Sequence, residues 1–501
     1  MNAFDVIVVG AGIVGCMVAR SLSRYHLTVL LIDKEADVGM GASSANSAIV
    51  HAGYDPKPGT LKAKMNVLGN AMWDQLSGEL GFEYDRRGDY VVAIGCEEFI
   101  ALDRLLQQGL RNGVPGMHII SGDEMRLREP NINPNVSGAL WAPTGGICDP
   151  FMATVASAEN AVQNGVTVML STAFQDFVIE NNRIIAVQTN RGAFGCRWVV
   201  NAAGLRADEV MHKAGVRPEF VIRPRRGEYT VLDQAEIQIN NVLFPTPSEK
   251  GKGILVTTTT HGNPILGPNS SFVDEKEDTA VSAEGLKEIW DGAQKLVPCL
   301  KPSHAIAVFA GMRAYGNASC ETPGVNESHD FIIEVTASPK GLVNLGGIES
   351  PGLTSAPAIA LHVIELLKEA GEQLAERHDW DPIRPPRPHL RKLPREEQIK
   401  LIKADPRYGR VICRCETVTE GEIIAEIHAP IPATTYDAIK RRTWLGTGRC
   451  MGSFDMPRVV DLLAQELNVP RESITKKGPG SEFLVRRTKD VEIVVKVEVQ
   501  P

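Results

Sequence analysis

Six residues near the start, Gly10-Ala11-Gly12-Ile13-Val14-Gly15, constrain this chain more than any other stretch. They follow an apolar run, Asp5 to Val9, and open a helical stretch to about Tyr25, after which Thr28 to Asp33 reads as a second strand. Strand, glycine turn, helix, strand is a βαβ unit whose missing side chains let backbone approach a pyrophosphate at the helix N-terminus. Asp33 ends the second strand 18 residues after Gly15, where a carboxylate accepts hydrogen bonds from a ribose hydroxyl. A tight turn beside a solvated aspartate is the plainer alternative, and the combined spacing disfavours it. FAD and NAD share the fingerprint, so residues elsewhere must choose between them.

With 501 residues the chain exceeds one ordinary core and should split into two or three domains. Its net charge of -8 argues against a nucleic-acid binder, which needs a basic excess, and points to small molecules or proteins as partners. Nine cysteines, an odd count scattered over most of the chain, do not form a disulfide framework, so a reducing cytoplasm is expected. The opening lacks the basic start of a signal peptide, and no run nears the roughly 20 apolar residues of a transmembrane segment. A peripheral contact at the inner face of a membrane stays compatible, although no basic amphipathic helix announces it.

The expected fold class is α/β: a discontinuous, Rossmann-like dinucleotide domain, an antiparallel β-rich substrate cap and a small helical C-terminal cysteine module. The dinucleotide parts are about 1–80, 145–216 and 336–378, and the cap about 81–144 and 217–335. A second helical segment runs from about Thr60 to Leu80. Asn181-Asn182 between Val178 to Glu180 and Ile184 to Gln188 reads as a hairpin turn. The strand Leu342 to Leu345 and a helix from about Thr354 to Ala370 return to the first domain. A stiff Pro-rich linker, 379–406, follows, and 407–501 form the module and tail.

Val199-Val200-Asn201-Ala202-Ala203-Gly204 resembles the second flavin signature of the two-dinucleotide-binding flavoproteins, and Gly346-Gly347-Ile348-Glu349-Ser350-Pro351-Gly352-Leu353-Thr354 their third. Further motifs are Ser43-Ser44-Ala45-Asn46-Ser47-Ala48-Ile49-Val50-His51-Ala52-Gly53, Pro58-Gly59-Thr60-Leu61-Lys62-Ala63, Pro224-Arg225-Arg226-Gly227-Glu228-Tyr229, Gly267-Pro268-Asn269 and Phe309-Ala310-Gly311-Met312-Arg313. Together they resemble the D-amino-acid oxidase superfamily, in its glycerol-3-phosphate dehydrogenase/oxidase and L-2-hydroxyglutarate oxidase branch, over about Asp5 to Leu367.

That resemblance implies FAD as cofactor, bound along Ser43, Ser44, Asn46, Ser47, Ala203, Gly204, Gly347, Ser350, Gly352, Leu353 and Thr354. It implies that His51 takes the hydroxyl proton while hydride leaves the same carbon. Arg313 matches the substrate-anchoring arginine, whose planar fork suits a phosphate or carboxylate; an interdomain ion pair is its plainer role. Lys252 falls where this branch offers a cation, and equally where a glycine turn would carry a solvated lysine. Ser350 and Thr354 either donate to flavin or substrate oxygens or cap the following helix.

Cys413-Arg414-Cys415 and Cys450 gather soft ligands in one short stretch, which suggests a metal centre. The arrangement resembles the bacterioferritin-associated-ferredoxin-like [2Fe-2S] domain, with Thr419 and Glu422 at capping-box spacing and Met456-Pro457 opening another helix. Members of that family place a fourth cysteine where this chain has Asp455, so three thiolates and a carboxylate would hold the cluster. A retained fold without metal, or a zinc site, is the alternative.

The expected reaction is FAD-dependent oxidation of glycerol 3-phosphate to dihydroxyacetone phosphate, with electrons passed on through the cluster to a protein partner or the subunits of a larger complex. An L-2-hydroxyglutarate dehydrogenase or oxidase is the nearest rival, because both substrates set an anion close to a secondary alcohol. An FAD-bearing electron-transfer or scaffold subunit is a rival of another class.

Overall fold

A computed structural model of the chain describes residues 3–216, 221–247, 253–317 and 330–486. The chain divides into two compact units, Met1–Pro386 and Arg387–Pro501.

The first unit is organised by a mixed sheet whose parallel strands are, in order, Leu342–Gly346, Gly192–Asn201, Ala3–Val9, Val29–Ile32 and Thr167–Met169. Parallel strands covered on both faces must be apolar throughout, and Ile7, Leu30, Ile32, Val199 and Leu342 meet that demand in one buried cluster. The register sets Val9 beside Asn201 and Asn201 beside Asn344. There the Asn201 amide donates to Asn344 Oδ1 at 2.9 Å and to the Ala207 carbonyl at 2.8 Å. This buried pair ties together the strand ends from which the turns at Gly10, Gly204 and Gly347 emerge. The hairpin Phe174–Glu180 and Arg183–Thr189 extends the sheet antiparallel. Its turn residues Asn181 and Asn182 take φ of 48° and 61°, the conformation that asparagine tolerates.

The cap is a nine-stranded sheet dominated by one long antiparallel pair, Val221–Leu232 with Ala305–Asn317. One pairing departs from the antiparallel expectation: Val242–Pro245 runs parallel to Asp89–Ile94 and unites two segments far apart in the chain. Parallel neighbours need a long crossover, and the excursion through the dinucleotide sheet supplies it.

The expected helix from Thr60 to Leu80 is two helices, Leu61–Asn70 and Trp73–Leu80. Thr60 caps the first by accepting from Ala63 N. Past the break, the fully buried Trp73 donates its indole N–H to the Thr354 carbonyl at 3.0 Å. The start of the Pro-rich stretch is docked on the first unit. Asp381 O accepts from Asn160 and Asn164, and buried Arg384 pairs with Glu159 at 2.5 Å.

The second unit packs the helices Glu420–Ile427, Tyr436–Thr443 and Met456–Glu466 around Ile423, Ile439, Leu445, Val459 and Leu463. Thr419 and Glu422 form the expected capping box, with Thr419 N donating to Glu422 Oε2 at 2.9 Å. Among the described residues, no helix is long and apolar enough to cross a membrane.

Candidate functional site

At the first turn, Gly10 adopts φ +105°, and a Cβ there would lie 2.4 Å from the Ala202 carbonyl oxygen. A Cβ on Gly15 would sit 1.9 Å from Gly10 O, so the close turn admits only glycine at both positions. Helix Ile13–Leu22 starts at Gly12 with no acidic residue in its first turn, which leaves its positive end unneutralised by charge. Ser43 Oγ accepts from Ile13 N at 2.9 Å, bringing the serine-rich loop to the same end. Asp33 accepts from Ala11 N at 2.6 Å and Glu35 N at 2.9 Å. Burial raises its pKa although these N–H groups oppose the shift.

Within that loop, Ser44 Oγ donates to Gly41 O, and the Asn46 amide bonds Ala42 O, Ser43 O and Ala48 N. Ser47 is half-buried beside Ala48, whose φ is +59°. Ala203 is half-buried and Gly204 exposed at φ +57°, where an added Cβ would meet nothing within 4 Å. Gly347, at φ +64°, turns the chain toward helix Gly352–Glu369. Gly352 and half-buried Leu353 open this helix, which has no side-chain cap and no acidic first turn. Two helix N-termini free of acidic residues, glycines where backbone must come close, and an exposed Gly204 are what a dinucleotide's phosphates and ring require.

His51 follows the short strand Ile49–Val50 and is held by its backbone. Its N–H donates to Thr354 Oγ1 at 2.9 Å, while Asn66 and Asn70 donate to its carbonyl at 2.8 and 3.0 Å. Both asparagines sit four residues apart on one face of helix Leu61–Asn70. Thr354, fully buried, accepts the His51 N–H, and its hydroxyl donates toward Ile49 O at 3.4 Å. The imidazole faces Phe244 with ring centroids 5.8 Å apart, and its Nε2 lies 3.3 Å from the hydroxyl of exposed Ser350. His51, Tyr54, Asp55, Asn66 and Pro351 line a pocket.

One residue before Ser350, Glu349 collects cations. Lys62 Nζ lies 3.1 Å from its Oε1 and Arg225 Nη2 2.5 Å from its Oε2. Arg225 and Arg313 are directly opposed on the long strand pair, an arrangement that is unfavourable for like charges unless anions intervene. Arg226 is the next residue along the strand and pairs away from this cluster, with Asp278 and Glu228. Arg313 is held by carbonyls: Nη2 donates to Asn269 O at 2.6 Å and Arg226 O at 3.2 Å, with no ion pair among the described residues. Burial lowers its pKa, and Arg225 adds to this while Tyr229 and Glu349 oppose it. Burial would raise the Glu349 carboxyl, but Lys62, Arg225 and Arg313 hold it below the usual carboxylate range. Three cations therefore act on one carboxylate.

Glu349 and Ser350, consecutive in sequence, bring the Arg313 cluster and His51 into one neighbourhood. Lys62, Arg225 and Glu349 carry no role in the sequence reading, although each lies inside a quoted motif. Lys252, expected as a further cation, lies outside the described residues.

In the second unit, Cys413 Sγ is 3.6 Å from Cys415 Sγ, which is 4.0 Å from Cys450 Sγ. Two thiolates on one tetrahedral ion with bonds of about 2.3 Å stand about 3.8 Å apart, so these spacings suit shared metal ligation. No three His, Cys, Asp or Glu side chains among the described residues are arranged to hold a single ion; ligands divided between two irons need not converge on one point. Burial pushes the Cys413 thiol up to about 12; the backbone N–H groups of Gly446 and Glu416 oppose that shift and Asp455 adds to it. N–H groups aimed at sulfur are the outer shell that an iron–sulfur cluster uses. Asp455 is 1% exposed; its Oδ1 accepts from Tyr436 Oη at 2.7 Å, and the carboxylate faces the Cys413 thiol. Three thiols and a buried carboxylate oxygen form a donor set that fits the cluster.

Comparison with known proteins gives the same picture. Residues 5–366 match the FAD dependent oxidoreductase family, and residues 411–465 match the BFD-like [2Fe-2S] binding domain. The chain is similar to a glycerol 3-phosphate dehydrogenase of Caloramator mitchellensis, 44% identical over 97% of this chain and 99% of that one. It is also similar to a glycerol 3-phosphate oxidase of Mycoplasma genitalium, 33% identical over 76% of this chain and 98% of that one. Its fold matches the dithionite-reduced L-α-glycerophosphate oxidase of Mycoplasma pneumoniae with FAD bound. That match has a TM-score of 0.71 and 31% identity, covering 78% of this chain and 100% of that one. The resemblance read from the motifs is borne out, and the cofactors that accompany these matches are FAD and a [2Fe-2S] cluster. The chain belongs to the FAD dependent oxidoreductase family.

Proposed function

We propose that this chain is an FAD-dependent dehydrogenase that oxidises sn-glycerol 3-phosphate to dihydroxyacetone phosphate. The observation that carries the reading is the cation cluster next to Ser350 and His51: among the described residues Lys62 and Arg225 pair with Glu349, and Arg313 pairs with no carboxylate. A phosphate monoester is close to a dianion at neutral pH, and it suits such a cluster. The names of the relatives from Caloramator mitchellensis and Mycoplasma genitalium support the same substrate.

In this reading the arginines hold the phosphate. His51 Nε2 takes the proton of the secondary hydroxyl, with Ser350 at 3.3 Å to orient the imidazole or the substrate oxygen. Thr354, Asn66 and Asn70 fix the histidine backbone so that the ring does not drift from the reacting carbon. FAD, held by the turn at Gly10 to Gly15, Asp33 and the two helix N-termini, supplies the acceptor for the substrate hydride. Cys413, Cys415, Cys450 and Asp455 would hold the [2Fe-2S] cluster, which would supply one-electron transfer toward a protein or quinone-linked acceptor. The eight described cysteines are free thiols, which suits a reducing cytoplasm, whether or not the protein also sits at the inner face of a membrane.

Anaerobic mixing of the FAD-loaded chain with each substrate, followed at the flavin band, tests this. Bleaching by glycerol 3-phosphate alone is expected. Bleaching only by L-2-hydroxyglutarate transfers the assignment to that substrate, and bleaching by neither leaves an FAD-bearing scaffold.

A further inference from the structure

Asp455 stands at the N-cap of helix Met456–Glu466, the position where aspartate ordinarily accepts N–H bonds from the first turn. It makes no such bond. With φ -94° and ψ -27° it already has helical backbone geometry, and its carboxylate is directed into the protein instead. One oxygen accepts from Tyr436, and the carboxylate lies against the Cys413 thiol, one of the gathered cysteines.

The loop is shaped around the tyrosine. A Cβ on Gly446 would fall 2.5 Å, and one on Gly452 2.2 Å, from Tyr436 Oη; both glycines also have positive φ, 72° and 83°. The phenol therefore sits in a slot made by two glycines that flank Cys450 in sequence, and Phe483 meets its ring edge-on at 5.7 Å. From that slot its Oη donates to Asp455 Oδ1 at 2.7 Å.

We propose that Tyr436 is a positioning residue for the [2Fe-2S] cluster: it binds Asp455 Oδ1 and so presents Oδ2 as the fourth iron ligand, in place of a thiolate. This rests on the ligand set assigned above. A hydrogen bond to a ligand oxygen withdraws charge from it and stabilises the reduced, more negative cluster. Tyr436 therefore raises the reduction potential, while the carboxylate makes the site harder than four thiolates would be.

The full chain, purified without oxygen, is assayed for iron and acid-labile sulfide, titrated potentiometrically and examined by electron paramagnetic resonance after dithionite reduction. Tyr436→Phe keeps the ring and its packing. It is expected to retain iron and sulfide, alter the resonance and favour the oxidised cluster about tenfold, which is about 59 mV for a one-electron couple. Asp455→Cys is expected to give an all-thiolate spectrum, and in that background Tyr436→Phe should shift the potential little. A native chain that lacks iron and sulfide overturns the ligand set and this proposal together. A cluster that survives Asp455→Ala with its spectrum and potential unaltered overturns ligation by Asp455. An unaltered potential in Tyr436→Phe, with the Asp455 variants still changing the spectrum, leaves the ligand set standing and overturns the role of the tyrosine.

Discussion

In the first unit Lys62 and Arg225 pair with Glu349 while Arg313 lies within its electrostatic reach; in the second, three thiols lie close together and Asp455 accepts from Tyr436. The two sites differ in kind: the first gathers cations around a carboxylate, the second gathers thiols beside one. Each is also held from behind by neutral groups: carbonyls behind Arg313, and backbone N–H groups behind Cys413. Neutral supports fix a charged group's position without cancelling its charge, so that charge remains for a ligand of opposite sign. The chemistry of the gathered groups thus separates substrate recognition from metal binding before any ligand is considered.

The strongest attack on the first half of that contrast is His51→Asn. We expect turnover of glycerol 3-phosphate to fall by about 10²–10⁴-fold with substrate binding little changed, read from single-turnover flavin reduction. An unchanged rate would remove the proton-transfer role from this pocket. Arg313→Ala should cost roughly 2–4 kcal/mol in kcat/KM, about 30- to 10³-fold, chiefly through KM. If it lowered only the melting temperature, the cation cluster would be structural rather than a substrate site.

Thr419→Ala removes half of a capping box in the second unit and should cost about 0.5–2 kcal/mol of that unit's stability. Calorimetry would show this, with flavin reduction by substrate unaffected. A smaller effect concerns Glu349 and acid. Its folded pKa is depressed, so the unfolded chain binds the proton first; stability from this group is present above about pH 4.3 and lost as pH falls through the folded value. Urea midpoints at pH 5 and 3.5 should therefore drop more in the native chain than in Glu349→Gln. Equal drops would mean that the cations do not act through Glu349.

The cofactor turn was legible because its requirements are local. Gly10 and Gly15 are demanded by backbone crowding within a few residues, and Asp33 reaches back only to Ala11. The same holds for Asn181-Asn182 and for the Thr419 capping box. Thr354 was less legible: its position at a helix start suggested a cap or a flavin contact, but not that its hydroxyl would accept the backbone N–H of His51, about 300 residues away in sequence. The charge cluster was harder still: Arg313 was marked by its motif, but Lys62, Arg225 and Glu349 come from three other segments and each alone resembles a surface ion. Asp455 could be singled out as a substitution in a motif, but Tyr436, on a different helix, could not.

From its sequence alone this protein had its dinucleotide turn, its family, its candidate thiol ligands and its missing fourth cysteine, because each depends on residues adjacent or regularly spaced along the chain. Only the tertiary structure decided which charges meet and what holds His51 and Asp455 in place. Charge balance is a sum over neighbours in space, and strand pairing and helix packing choose those neighbours.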